Sequence, residues 1–299
     1  MPSPRSKLKP SLSKGLESFS FEAIGTTWEV EAVQITQIIK DKVLARIEEF
    51  DQAYSRFRSD SLVTVMSYEA GIYTLPDDAK PMMDLYRDLY KVTKGLVTPL
   101  IGRALSDAGY DAQYSFAKKD MYPSPAWNES LDYKFPKLVI KKPVLLDFGA
   151  LGKGYLVDII GELLIKNGIE QFIINAGGDI LVKGQTAQVA LEHPLDPSQA
   201  IGIADIVSQS ICGSAGNRRA WGEFTHIIDP KNLSSPTQYS AVWAVAGSAM
   251  LADAMTTALY FTSPEVLHKR YNFEYALLSK ELSLEYSQNF PATFFDGAE

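Results

Sequence analysis

The chain has 299 residues, 46% of them hydrophobic, enough apolar material for a packed core and too much for a disordered or fibrous protein. Its 36 Asp and Glu outweigh 29 Lys and Arg, and the net charge of −7 argues against a nucleic-acid partner, whose binding rests on cations neutralising phosphates. The single cysteine, Cys212, excludes an internal disulfide and a Cys-rich zinc site, and His193, His226 and His268 are scattered with no i,i+4 pair.

The leader, MPSPRSKLKPSLSKG, is basic and rich in Pro and Ser, with neither an apolar run nor a cysteine. Residues 1–19 are therefore expected to form a flexible tail and residues 20–299 one domain, with ordered structure starting near Phe21. From Phe21 to Val33 the sequence reads as a strand interrupted at Gly25-Thr26-Thr27. Ile35, Ile39, Val43, Ile47, Phe50 and Tyr54 then recur at three- and four-residue spacing, the stripe of a long amphipathic helix that ends in the polar segment YSRFRSDS. A second helix is predicted to open at Pro81, to carry Leu85, Leu89 and Val92 on one face, and to stop at Gly95. Residues 106–136, rich in Asp, Tyr, Pro, Ser and Lys, read as a loop insertion.

LVI and VLLDF, on either side of Lys141-Lys142-Pro143, read as two short strands. KGYLVDIIGELLIKNG is predicted as a helix with Leu156, Ile159, Ile160, Leu163 and Leu164 inward and Gly168 as its stop. FIINAGGDILVKG reads as strand, Gly-Gly turn, strand. The rest is mainly β (QVALEH, GIADIVSQSIC, FTHIIDP, AVWAVAG), with one helix, SAMLADAMTTALYF, before short terminal strands. The apolar stretch from Ala241 to Phe261 has about the 20 residues that span a bilayer. Asp253 sits in its C-terminal half and Gly247-Ser248 splits it into a β-like and a helix-like part, so no membrane insertion is expected. Hairpins grouped between helices indicate an α+β fold.

Four groups of residues could carry chemistry. Gly149, Gly152 and Gly154 crowd a strand-to-helix transition around Lys153, an arrangement suited to an anion at a helix N-terminus or simply to tight turning. It is not a P-loop: Asp147 stands where the first glycine belongs and Gly154 follows Lys153. NAGGDI is a hairpin turn that could also hug a ligand. Asp253, Thr256 and Thr257 share one helix face, and their oxygens suit a hard ion such as Mg²⁺ or, alternatively, hydrogen bonds from backbone groups. In THIIDP, an extended chain would point His226 and Ile228 one way and Ile227 and Asp229 the other. ICGSAGNRRAW adds Ser214 and two arginines in a glycine-bearing loop.

In chain order, IGTTW (24–28), SRFRSDS (55–61), Thr98-Pro99, LDFGALGKGYLVD (146–158), NAGGDI (175–180), HIIDP (226–230) and ADAMTTAL (252–259) resemble the motifs of the ApbE family, the FAD:protein FMN transferases. The resemblance runs from about residue 21 to 285. It implies an α+β, T-fold-like architecture of mixed sheets with packed helices, with FAD in a cleft between two intertwined halves. It implies an enzyme that cleaves FAD with Mg²⁺, attaches FMN through its phosphate to a Thr or Ser hydroxyl of a client flavoprotein, and releases AMP. Carried over residue by residue, the metal ligands fall on the Ala150 carbonyl, Asp253 and Thr257, with Thr256 beside them. The flavin-nucleotide contacts fall on Ile24, Phe57, Leu96, Val97, Thr98, Asp147, Lys153 and Ile227, and the catalytic roles on Asp253 and on His226 as proton acceptor.

Two alternatives stay open at this point: a Mg²⁺-dependent FAD pyrophosphatase, and a non-catalytic flavin-binding protein. The chain departs from the family's usual pattern at Thr98, where Asp is the rule, at Lys231-Asn232-Leu233, and over Gly213–Asn217. Family members are mostly exported and lipid-anchored; with neither signal visible, a cytoplasmic protein with a cytoplasmic client is expected.

Overall fold

The three- and four-residue stripe of Ile39, Val43, Ile47, Phe50 and Tyr54 is the buried face of an 18-residue helix, α1 (Gln37–Tyr54), capped by the Thr36 hydroxyl. A computed structural model describes residues 17–216 and 219–295. Residues 1–16 of the expected tail, and Asn217 and Arg218, lie outside the described residues. Ahead of α1 stands a hairpin of β1 (Glu17–Ala23) and β2 (Thr26–Ala32). Ordered structure thus begins before Phe21, because residues 17–19 pair with β2 from Glu17↔Ala32 onward. After α1 come α2 (Leu62–Met66), β3 (Gly71–Thr74) and α3 (Ala79–Val92).

A single 3-10 turn (Pro99–Ile101) runs into α4 (Gly102–Asp107), followed by α5 (Trp127–Ser130), β4 (Leu131–Lys134) and β5 (Lys137–Ile140). Next are α6 (Gly152–Lys166), β6 (Phe172–Ala176), β7 (Asp179–Lys183), β8 (Thr186–His193), β9 (Asp196–Val207) and β10 (Ser210–Ala215). The chain then forms β11 (Ala220–Trp221), β12 (Phe224–Thr225), β13 (Tyr239–Ala246), α7 (Ala249–Ala258), α8 (Pro264–His268), β14 (Phe273–Ser279), β15 (Leu284–Tyr286) and β16 (Ala292–Phe294).

An eight-stranded sheet in the order β1-β2-β6-β7-β10-β13-β14-β15 forms the centre, with antiparallel neighbours throughout. Side chains alternate across it. Val242, Ala244 and Ala246 of β13 join the larger core with α1, α3, α6 and α7, while Ala241, Trp243 and Val245 join a second core. That second core lies against the three-stranded sheet β16-β9-β8. Burial on both faces explains why AVWAVA is a continuous apolar run and not an alternating one. Among the described residues, no helix is long and apolar enough to cross a membrane.

Several boundaries differ from expectation, each for a local reason. α3 starts at Ala79, not Pro81; proline is tolerated anywhere in a first turn, whose N–H groups have no helical partner. Its buried face is Met82, Met83, Tyr86 and Leu89, so Leu85 and Val92 are only half-buried. In the 106–136 stretch, read above as a loop, α5 and β4 are regular, and β4 pairs with β5. VLLDF is extended without a ladder, its backbone held by single bonds from Val144 N–H to the Met66 carbonyl and Asp147 N–H to the Pro99 carbonyl. GIADIVSQSIC is two strands, reversing at Ser208, whose φ is 48°.

Candidate active site

Two loops and one helix contact build the site. The turn Gly177-Gly178 joins β6 to β7 with positive φ at both residues, 62° and 103°, so glycine is required by conformation. It is required by space too: a Cβ on Gly177 would stand 2.0 Å from the Thr26 hydroxyl, so NAGGDI and IGTTW pack on one another. The α6–α7 contact is tighter still. A Cβ on Gly154 would lie 2.2 Å from the Ala249 carbonyl oxygen and 2.7 Å from the Asp253 Cβ. Gly154 is thus the point at which α6 lets α7 approach backbone to backbone.

The start of α7 is doubly capped. Its own Ser248 hydroxyl accepts the Leu251 N–H, and the Asp158 carboxylate on α6 accepts the N–H groups of Ala249 and Met250, each at 2.8 Å. Burial pushes the Asp158 carboxyl up to about 6, against the pull of those two N–H groups. The folded state then holds the proton more tightly than the unfolded chain. The resulting stability is full below the ordinary 3.8 and is lost as pH rises through about 6. Asp158→Asn removes this dependence and one acceptor, so its stability deficit relative to the parent should narrow by on the order of 1–3 kcal/mol from pH 4 to pH 7. Urea midpoints at the two pH values check this; a constant gap would contradict it.

Capped and packed in this way, α7 presents Asp253 to a cleft. The carboxylate is 5% exposed and accepts the Gly154 N–H at 2.9 Å, and it makes no direct ion pair among the described residues. Burial raises its pKa, with the Lys153 charge first and then the Gly154 N–H pulling it back. The backbone-bonded alternative for Asp253 is therefore partly realised, while the carboxylate still faces the cavity. Ala150, Lys153, Asp253 and Thr257 line that cavity together.

The cleft has two lobes. The smaller, about 170 Å³, is walled by Leu96, Val97, Thr98, Asp147, His226, Ile227 and the four residues just named. The larger, about 560 Å³, is lined by Ile24, Arg56, Phe57, Tyr110, Tyr114 and Phe116 among others. Phe57, Tyr110, Asp147, Gly149, Lys153 and Arg219 belong to both, so the lobes are continuous. Every residue carried over as a flavin-nucleotide contact lies on this cleft. Ile24 reaches it from the β1–β2 turn with φ 42°, an unusual conformation for a β-branched residue. Thr98, at the position where Asp is usual, caps the 3-10 turn by accepting the Leu100 N–H at 3.2 Å.

Three placements revise the expectations. Thr256 does not stand beside Thr257 in the cavity. It is fully buried, with its hydroxyl 2.9 Å from the Ser214 hydroxyl and donating to the Asp253 carbonyl. Lys153, expected as a flavin-nucleotide contact, is also paired with buried Asp179. HIIDP is not a strand, since the Thr225 hydroxyl folds the segment by bonding both the N–H and the carbonyl of Ile227. His226, Ile227 and Ile228 therefore all face the smaller lobe.

His226 Nδ1 is sealed from solvent and has no hydrogen-bond partner among the described residues. Burial, then the charges of Arg219 and Lys153, lower its pKa to about 3, so the imidazole is neutral.

Sequence reasoning missed the partners. Arg56 is 7% exposed, paired with Asp147, and donates to the Tyr110 carbonyl at 2.7 Å. Arg56 and Asp179 sit inside quoted motifs, so the signal was present as polar residues next to glycine or aromatic ones. Tyr110 and Tyr114 were hidden in the stretch read as an insertion.

An oxygen-only ligand set of one carboxylate, one hydroxyl and one carbonyl suits a hard divalent cation. The buried carboxylate of Asp253, which makes no ion pair among the described residues, fits such an ion. Among the described residues no cluster of three His, Cys, Asp or Glu forms a conventional metal cage.

The model of the ApbE family matches residues 24–275. Among curated proteins, the FAD:protein FMN transferase of Buchnera aphidicola subsp. Schizaphis graminum (strain Sg) is 25% identical over 292 residues, 87% of this chain and 85% of that protein. The FAD:protein FMN transferase of Haemophilus influenzae is 24% identical over 281 residues, 81% of this chain and 80% of that one. The solved flavin transferase ApbE from Vibrio cholerae is similar with a TM-score of 0.80 at 20% identity, over 92% of this chain and 98% of that one. The ApbE protein from Thermotoga maritima gives 0.82 at 17% identity, over 91% and 97%. These structural likenesses establish the α+β ApbE fold.

Proposed function

This chain belongs to the ApbE family, and on that premise we propose that it is an FAD:protein FMN transferase. The observation that carries the reading is the convergence of Ala150, Lys153, Asp253 and Thr257 on one cavity, from segments about a hundred residues apart. In the proposed reaction the FMN phosphorus gains a bond to a Thr or Ser oxygen of a client flavoprotein and loses its bond to the bridging oxygen, which departs with AMP.

Phosphoryl transfer asks the protein mainly for positioning and charge neutralisation. Ala150, Asp253 and Thr257 would hold Mg²⁺, which when bound neutralises charge on the diphosphate. Lys153, aimed by Asp179, adds a second positive charge, and Arg56 fixes the Asp147 carboxylate at the junction of the lobes. The apolar side chains of Leu96, Val97, Ile227 and Ile228 line part of the smaller lobe, and a bound client covering it would limit hydrolysis. His226 is the proposed acceptor of the hydroxyl proton. With its pKa near 3 the imidazole stays neutral across pH 5–8, so the pH profile of transfer should lack a step near the ordinary 6.5. A histidine-like step there would contradict this lowered pKa.

The function is tested by mixing the protein with FAD, Mg²⁺ and a client carrying an acceptor Thr. Flavin that stays on the client through denaturation, in step with AMP, supports the transferase. FMN and AMP released equally fast without a client would identify a pyrophosphatase, and FAD retained with no AMP formed would identify a binding protein.

A further inference from the structure

We propose that Tyr114 is a movable aromatic lid on the larger lobe: it cedes Phe57 to a planar heteroaromatic ring of the dinucleotide and then closes on that ring. The inference rests on the transferase reading and concerns how this chain grips its substrate. Phe57 lies at the junction of the lobes, and its ring is stacked on Tyr114 with centroids 5.3 Å apart and planes 5° from parallel. A ring held between two aromatic planes needs roughly 7 Å between them, twice a contact distance of about 3.5 Å. One neighbour of Phe57 must therefore move before a substrate ring can stack on it.

Arg56, whose guanidinium carbon lies 4.2 Å from the Phe57 ring centroid, is held in place by its ion pair with Asp147 and by the Tyr110 carbonyl. Tyr114 is the less tethered partner, its ring meeting other rings, those of Tyr110 at 5.6 Å and Phe116 at 6.3 Å besides Phe57. It is 44% exposed, and its hydroxyl makes no hydrogen bond among the described residues. The loop around it is anchored on either side. The Asp111 carboxylate accepts the N–H groups of Gln113 and Ser115 and the Ser115 hydroxyl, and Phe116 N–H donates to the Gly109 carbonyl at 2.8 Å. Tyr114 and Phe116 both stand at φ 50°, a conformation that aromatic residues seldom adopt and that here turns Tyr114 onto Phe57. The loop thus has a fixed base and a side chain held by ring contacts, with no hydrogen bond from its hydroxyl among the described residues.

The ligand chemistry is a flat π-system, which either the adenine or the isoalloxazine of FAD could supply. Titrations of the parent chain, Tyr114→Ala and Tyr114→Phe with FAD, AMP and FMN separate these sources. Tyr114→Ala should bind FAD about tenfold more weakly, in the range for loss of one stacked ring, while Tyr114→Phe stays within about twofold. The same loss should show with AMP alone if adenine inserts, or with FMN alone, together with reduced flavin quenching, if isoalloxazine does. Unchanged affinities in Tyr114→Ala, tighter FAD binding (a residue that merely obstructs Phe57), or a Tyr114→Phe variant as weak as Tyr114→Ala would each overturn the lid. A parent chain that binds no FAD would instead overturn the functional reading beneath it.

Discussion

Asp253→Asn is expected to cut FMN transfer by about a hundredfold or more, since a charged ligand to the diphosphate's counter-ion is lost. The same change should leave the melting temperature of the metal-free protein unchanged or slightly raised. The two effects diverge because the carboxylate is buried, makes no ion pair among the described residues, and is retained against its desolvation cost. Asparagine keeps the shape and an acceptor for the Gly154 N–H. AMP release, denaturation-resistant flavin on the client, and a thermal melt measure the three quantities. Normal transfer with Mg²⁺ present would remove Asp253 from the metal site.

Gly154→Ala is the second large effect, and its sign depends on packing. In an open helix, alanine for glycine gains about 1 kcal/mol. Here the new methyl would meet the Ala249 carbonyl oxygen at 2.2 Å, a backbone atom that cannot rotate away. Overpacking of that kind costs about 2–3 kcal/mol, and more if the helices cannot separate. The net expectation, about 1–2 kcal/mol, is a melting temperature lower by roughly 2–8 °C. Activity should fall in parallel, because moving α7 off α6 displaces Asp253 and breaks its bond from Gly154. An unchanged melt would show that the α6–α7 contact yields.

Much of the fold was legible because burial imposes a period. The stripe from Ile39 to Tyr54 could only be one face of a helix, and NAGGDI between apolar runs could only be a tight reversal. Asp253 stood out because a carboxylate on an apolar helix face needs a partner. What could not be read is what depends on rotation and on distant pairing. Thr256 and Thr257 follow Asp253 by three and four residues, which places them about 100° apart around the helix axis. One turns behind the site to Ser214 and the other faces the cavity. The pairs Arg56–Asp147 and Lys153–Asp179 join residues far apart in the chain, so no local pattern announces them. The aromatic wall was overlooked because a Tyr- and Pro-rich stretch without periodicity looks like a loop. It is largely a loop, but one whose rings close the cleft.

The most direct test is crystallographic: crystals of the protein grown with FAD and Mn²⁺, a scatterer that can stand in for Mg²⁺, with the ion located by its anomalous signal. One peak is expected in contact with the Ala150 carbonyl, the Asp253 carboxylate and the Thr257 hydroxyl, touching the diphosphate and absent in Asp253→Asn. FAD bound in the cleft with no peak there, or with the ion held elsewhere, would contradict the proposed metal site.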